Sequence, residues 1–415
     1  MSIENKASFS GRRFAANSAI VLSFIVALEF VIMISPFAMV FYAALNPFLL
    51  ALNQSAATRW LTAFFLPHMV VPPDVFLKAL RVSGSVAFLG GVFIFLGCAA
   101  QVYAGKLFRP GVAQGGLYRL IRHPQYAALA LAAWGLAVMW PRFLTLALFA
   151  VMLFLYYLLA RDEERWMLNR FGESYQRYMS WTGMFLPRAM ERALGAGNQP
   201  SRPLPTGKAA AIFLGLMLVC VGSGFFLRAY TVRHLPLMQV SDMDVIAITA
   251  EDLTTAKDLL PSVLADPAVA SKLQAVRQPG HRQLAYFIPI DYVMQGMIAD
   301  TGPEWKLFEH HKTFLMIAEY ILHPFAHLTG GHHHTMTMTQ HDASMYNSPM
   351  MKRRVIFLDV APGTEPLRSA ADEFGINIQR TPLFFVDVHL HTGEMLNVQN
   401  LAGGSGWGRV PTPMF

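Results

Sequence analysis

The sequence predicts a multi-pass α-helical membrane bundle of about five transmembrane helices, followed by an exported α/β or α+β domain. Three observations carry this expectation. Of 415 residues, 54% are hydrophobic and only 14% charged, against about 25% charge in an average soluble domain. Apolar stretches matching a hydrocarbon core of about 30 Å, which needs about 20 helical residues, recur through the first half of the chain. Beyond Val240 the pattern changes to short strands and helices with one apolar face. The 30 glycines and 25 prolines are near ordinary usage, which excludes collagen-like and disordered classes. The net charge of +7 falls between apolar runs, pointing to the loops of a membrane protein rather than to nucleic acid. Cys98 and Cys220 both lie in apolar runs, so one chain can build neither a disulfide framework nor a Cys-based zinc or thiol-redox site.

The predicted spans are 20–45, 82–100, 143–160 and 209–227, with a shorter uncharged fifth at 124–140. The fifth and the span at 143–160 read as a helical hairpin turning at Pro141-Arg142. Segment 47–73 is apolar but interrupted by Asn53-Gln54-Ser55, Arg59 and Pro67, and reads as re-entrant, interfacial or a short sixth span. With five crossings, three basic clusters share one face: Lys6, Arg12 and Arg13; Lys106, Arg109, Arg119 and Arg122; and Arg161, Arg165, Arg170, Arg177, Arg188 and Arg192. Basic loops stay cytoplasmic. The expectation is therefore an inner (plasma) membrane protein with a cytoplasmic N-terminus and a periplasmic region 231–415. Arg12-Arg13-Phe14 resembles a twin-arginine signal, but the apolar run behind it is too long and has no A-x-A site, so an uncleaved first helix is expected. The divisions are 1–197, a Pro-rich linker 198–208, a further transmembrane helix 209–230, and the exported domain 231–415. Glu29 is an expensive ionisable group within the first span. Gly84, Gly90, Gly91 and Gly97 are expected to permit close helix packing.

The chemistry-bearing residues lie between Gly116 and Pro187. The order is G-L-Y-R-L-I-R-H-P-Q-Y, the membrane hairpin, E-E-R-W-M-L-N-R-F-G-E-S-Y-Q-R-Y and then F-L-P. Two polar clusters bracket a hairpin, so Tyr118, Arg122, His123 and Tyr126 can meet Glu163 and Glu164 at one membrane face. Glu164, Leu168 and Phe171 share a helical face, which shelters that carboxylate among apolar anchors. Gly172 supplies a helix stop, and Tyr175 and Tyr178 follow a turn apart.

At these residues the chain resembles the isoprenylcysteine carboxyl methyltransferases and membrane phospholipid methyltransferases. Arg122-His123-Pro124-Gln125-Tyr126, Glu163-Glu164, Phe171-Gly172, Tyr175, Tyr178 and Phe185-Leu186-Pro187 match that pattern with its spacing, over about residues 82–187. The resemblance implies a helical membrane fold that binds S-adenosylmethionine on its cytoplasmic side and methylates a lipidic or prenylated acceptor, carboxylate or amine. It implies cofactor contacts from Tyr118, Arg122, His123, Tyr126 and Glu163, with Arg122 holding the cofactor carboxylate and Glu164 at the methyl-transfer end. Relatives of the eukaryotic enzyme have an arginine about a turn and a half before the second glutamate. Leu159 stands there in this chain, and Arg161 is the nearest cation.

In the exported half, strands are expected at 245–250, 284–290, 354–360, 383–391 and 394–400, and helices at 251–264, 304–322 and 365–374. The last part resembles the end of a thioredoxin-type fold, with Thr381-Pro382 where that family has its cis proline. Without a C-x-x-C motif it cannot exchange dithiols. Eleven of the 14 histidines lie within 281–391. Loop 330–351 carries His332, His333, His334, Met336, Met338, His341 and Met345, a set of imidazole and thioether groups suited to copper, or to zinc through the imidazoles alone. The competing reading of the chain is thus a non-catalytic membrane subunit, joined to other membrane proteins through a metal-binding exported domain.

Overall fold

The computed structural model describes residues 48–108, 114–194, 204–292, 294–302, 349–363 and 365–404. They fall into two compact units, one built on Ala79–Phe226, the other joining the residues before Ala79 to those from Leu227 onward. The first span predicted at 20–45, with Glu29, lies outside the described residues, as do helix 304–322 and the entire set His332, His333, His334, Met336, Met338 and His341.

The first unit is helical: α1 (Val75–Phe108), α2 (Pro124–Met139), α3 (Phe143–Phe171), α4 (Glu173–Trp181), α5 (Arg188–Ala193) and α6 (Thr206–Arg233). By length and composition α1, α3 and α6 are able to cross a membrane, while α2 is a shorter apolar helix. The helices form because these runs lack interior Pro, and they are apolar on most sides because lipid replaces water around them. α2 starts with Pro124 at its first turn, where a missing N–H costs nothing. It turns into α3 at Pro141-Arg142, where the Thr145 hydroxyl donates to the Arg142 carbonyl at 2.6 Å. α3 stops at Gly172, whose φ of +52° is open to glycine.

α1 and α2 touch backbone to backbone. A Cβ at Gly91 would lie 2.5 Å from Ala132 N, and one at Gly135 would lie 2.5 Å from both Gly84 O and Phe88 N. Gly84 meets Val138 in the same seam, whereas Gly90 and Gly97 have open space beside them, so only half of the expected glycine set packs. α6 seats against α3 through Gly224, which lies against Leu146 and Phe143, and through the Phe143–Phe225 ring pair at 4.5 Å.

The second unit is a six-stranded sheet with the strands in chain order: β1 (Leu237–Val240), β2 (Met243–Ala247), β3 (Arg282–Pro289), β4 (Lys352–Ala361), β5 (Gln379–His389) and β6 (Met395–Asn400). Only β2 and β3 are parallel. They are joined over one face by α7 (Ala250–Ala265) and α8 (Pro267–Ala275). The core lies under these helices, where Leu260, Val263 and Val269 meet Val245, Phe287, Phe357 and Val386. The strands and helix 251–264 stand near their expected places. Residues 365–374 instead form only a 3-10 turn at Ala370–Phe374, held by a capping box between Ser369 and Asp372. The Thr381–Pro382 peptide is trans, so the residue pair that suggested a thioredoxin-type ending does not adopt the geometry expected of it.

Segment 47–73 belongs to this second unit. Phe65, Leu66 and Val70 are fully buried. The Val71 amide donates to Ile248 O at 2.8 Å and the Tyr292 hydroxyl to Met69 O at 2.8 Å. The segment's apolar residues pack beside a sheet, and among its described residues no helix is long enough to span a membrane.

A buried ionic cluster lies at one edge of the same unit. Arg282 bonds both Asp244 and Glu373, and Glu373 is fully buried. Burial and the neighbouring Asp244 carboxyl push the Glu373 pKa up to about 8, against the opposing pull of Arg282.

Two predictions follow from these packing facts. Gly135→Val should lower the melting temperature in detergent, with a cost of about 1–3 kcal/mol typical of overpacking, while Gly97→Ala should leave it unchanged. For Glu373, the folded state holds a proton that the unfolded chain loses above about pH 4.3. Its contribution to stability is therefore complete below that pH and is lost as pH rises through about 8. Melting of the wild type should fall across this range, by at most about 1.4 kcal/mol per pH unit, and Glu373→Gln should flatten the decline.

Candidate active site

The two halves of the motif meet. Arg122 precedes α2 and Glu164 sits in the second half of α3, 42 residues later, and Arg122 Nε lies 2.5 Å from Glu164 Oε1. Both side chains are 3% exposed. A buried ion pair is stable only if the remaining donors are also satisfied. Here the other arm of the guanidinium donates to the Thr182 carbonyl and lies 3.4 Å from Met179 O and 3.5 Å from Thr182 Oγ1. α4 brings these acceptors into place, because Tyr175, Tyr178 and Met179 pack on Met167, Leu168 and Phe171 of α3. The predicted shelter of Glu164 by its helical face is thus the observed one.

His123 is buried between the two carboxylates, with Nδ1 3.4 Å from Glu163 Oε2 and Nε2 3.5 Å from Glu164 Oε1. The Nε2 contact fails hydrogen-bond geometry, leaving a buried polar atom without a partner. Burial by itself would lower the imidazole pKa, but Glu163 and Glu164 outweigh it and raise the value, favouring imidazolium. Tyr126 donates its hydroxyl to Glu163 Oε1 at 2.8 Å. Its ring stacks on His123 at 5.7 Å and on Tyr156 at 5.0 Å, and Phe185 reaches His123 at 5.8 Å. The result is an aromatic column beside two carboxylates.

Tyr118 lies in a 3-10 turn before the motif, and its carbonyl accepts from the Tyr178 hydroxyl at 2.6 Å. Burial pushes the Tyr178 pKa up to about 12, Glu164 reinforcing and Arg122 opposing, so it remains a phenol donor at neutral pH. Arg161, one turn before Glu164, donates to the Tyr157 hydroxyl at 3.2 Å and lies over that ring.

Thus Arg122, His123, Tyr126, Glu163 and Glu164 converge, and Tyr118 supports them through its backbone. Tyr156, Thr182 and Gly183 also belong to the arrangement but escaped sequence reasoning. Tyr156 could have been found from its place two turns before Glu164 on α3; Gly183 acts through its main chain and Thr182 chiefly through its carbonyl, so neither leaves a clear side-chain signal. The loop after α4 joins the site by a parallel bridge, with Arg122 N donating to Gly183 O at 2.8 Å and His123 N to Met184 O at 3.1 Å.

Residues 81–174, which contain all of these groups except Thr182, Gly183, Met184 and the supporting residues Tyr175, Tyr178, Met179 and Phe185, match the phospholipid methyltransferase family. Over this stretch the chain is similar to membrane phospholipid methyltransferases, in line with the resemblance its motifs carried. Among curated proteins, methanethiol S-methyltransferase 2 of Bradyrhizobium diazoefficiens is 32% identical over 146 residues, covering 35% of this chain and 49% of the relative. The chain therefore spans about half the length of that relative. No solved structure gives a significant match. Among the described residues no group of three or more His, Cys, Asp or Glu side chains could hold a metal ion.

The pair makes a sharp prediction. Arg122→Ala leaves Glu164 buried without its guanidinium and should cost about 3–5 kcal/mol, whereas Arg122→Met with Glu164→Leu should recover most of that loss. Thermal melting in detergent measures both.

Proposed function

We propose that the chain is an integral membrane S-adenosylmethionine-dependent methyltransferase acting on a lipidic or prenylated acceptor. The observation that carries this reading is the convergence of His123, Tyr126, Glu163 and Glu164 around the Arg122–Glu164 pair, within the stretch that matches the family. Bound S-adenosylmethionine would supply a methyl group on a positively charged sulfur, transferred to the acceptor nucleophile. The residues suit such a group. Stacked aromatic faces and paired carboxylates attract a cation, and His123 Nε2, which makes no hydrogen bond in the structure, is a buried donor beside Glu164.

The resemblance gave Arg122 the cofactor carboxylate, but its guanidinium is bonded to Glu164 and the Thr182 carbonyl, so in this reading Arg122 instead holds Glu164 at the transfer end and orders the loop after α4. His123, Tyr126 and Glu163 line the cofactor side, with Tyr118 behind them. Arg161 is the cation that would place an anionic acceptor. An ionised carboxylate needs such placement and no base, whereas an amine needs Glu164 to take its proton. The name of the relative, a methanethiol S-methyltransferase, supports a thiol as a further acceptor class. Rate comes from holding donor and acceptor in line in a site closed to water. The charge distribution supports a cytoplasmic N-terminus and a periplasmic sheet domain.

Isothermal titration of detergent-solubilised protein with S-adenosylmethionine should give saturable binding. Transfer of labelled methyl to membrane extracts should fall at least about a hundredfold in Glu164→Gln and His123→Ala, the scale of a lost acid-base or positioning group. Absence of binding by the wild type would overturn the reading. It would favour the non-catalytic subunit, in which case metal analysis should find copper or zinc lost on replacing His332, His333 and His334 together.

A further inference from the structure

The loop that follows α4 is bonded on two sides. Its carbonyls, Gly183 O and Met184 O, accept from the amides of Arg122 and His123. Its amides point the other way and converge on one atom, Glu191 Oε1, which lies 2.7 Å from Met184 N, 3.0 Å from Phe185 N and 3.3 Å from Leu186 N. The second carboxylate oxygen is 4.0 Å from Arg188 Nη1. The loop curls so tightly that a Cβ at Gly183 would fall 1.7 Å from Leu186 O. Such a bend exposes successive N–H groups on its inside, and an anion there replaces the strand or helix partners they lack.

Glu191 stands on α5, beyond residues 81–174, and no motif marks it. Its carboxylate is the only group described as accepting these three amides, and the loop it holds carries Thr182 O at one end and Phe185 against His123. A chain of contacts therefore runs from Glu191, through the loop backbone, to the main chain of Arg122 and His123.

We infer that Glu191 is a positioning residue of the methyltransferase site, setting the register of Arg122-His123 against α3 by gathering the amides of residues 184–186. The inference rests on the proposed cofactor site, but its structural half can be read without it. Glu191→Ala should weaken S-adenosylmethionine binding about tenfold, the scale of one well-formed hydrogen bond network. KM for the cofactor should rise more than kcat falls. Glu191→Gln keeps a neutral oxygen able to accept the same amides, so it should lose only about threefold. A merely structural role would lower the folded fraction but leave the affinity of folded protein, and the KM-against-kcat balance, unchanged.

Hydrogen exchange on the same samples supplies the second readout. Amides 184–186 and 122–123 should be protected in the wild type, exposed in Glu191→Ala and intermediate in Glu191→Gln. Folded Glu191→Ala with wild-type affinity, or with unchanged exchange at these five amides, would overturn the inference. If Glu191→Ala does not fold, Glu191→Gln decides by the same two measurements. Should the wild type bind no S-adenosylmethionine, the proposed function fails by itself. The positioning role then stands or falls on exchange alone.

Discussion

The site is organised by one costly interaction, the buried pairing of Arg122 with Glu164. Removing two charges from water is expensive, and their attraction compensates only when every remaining donor and lone pair finds a partner. Much of the architecture on the far side of α3 answers that requirement. Gly172 ends α3 so that α4 can fold back, the apolar face of α4 packs on Leu168 and Phe171, and the carbonyls of Met179 and Thr182 are thereby delivered to the guanidinium. His123 and Tyr126 are then held in their stacked arrangement by neighbours that are already fixed.

The parts of this site visible in the sequence were those that act through side chains at characteristic spacing. Arg122-His123, Tyr126 and Glu163-Glu164 announce themselves by type and by their places on either side of an apolar hairpin. Thr182 and Gly183 contribute main-chain groups, a role that imposes little on residue identity, while Glu191 receives backbone amides from beyond the matched stretch, where no motif marks it. The glycines of α1 show a different limit. Gly84 and Gly91 are seven residues apart, and so are Gly90 and Gly97, which defines two adjacent stripes on one helix. Periodicity reveals both, but only the partner helix decides that the first stripe makes the contact.

Hydropathy misleads in a comparable way at segment 47–73. Its apolar residues are buried against protein, and composition cannot distinguish that environment from lipid. The loss of the helix expected at 365–374 has a local cause: Asp372 accepts the amides of Arg368 and Ser369, and Pro366 offers no amide, so only a short turn remains before the backbone extends again. The strands were more legible because β4 and β5 each carry a continuous buried run of mostly apolar residues, Arg354–Leu358 and Phe384–His389, too short for a helix and bounded by turn residues.

The unequal arms of the hairpin carry a final electrostatic meaning. α2 has 16 residues and α3 has 29, so α3 outruns its partner by about 20 Å at 1.5 Å per residue. Glu163 and Glu164 occur where α3 passes the first turn of α2. The aligned peptide dipoles of α2 place roughly half a positive charge there, and His123 at its cap makes no side-chain hydrogen bond to the free amides. The shorter arm thus directs its axial field at the carboxylates of the longer one, and helix length itself becomes a determinant of where negative charge can rest near the edge of the bilayer.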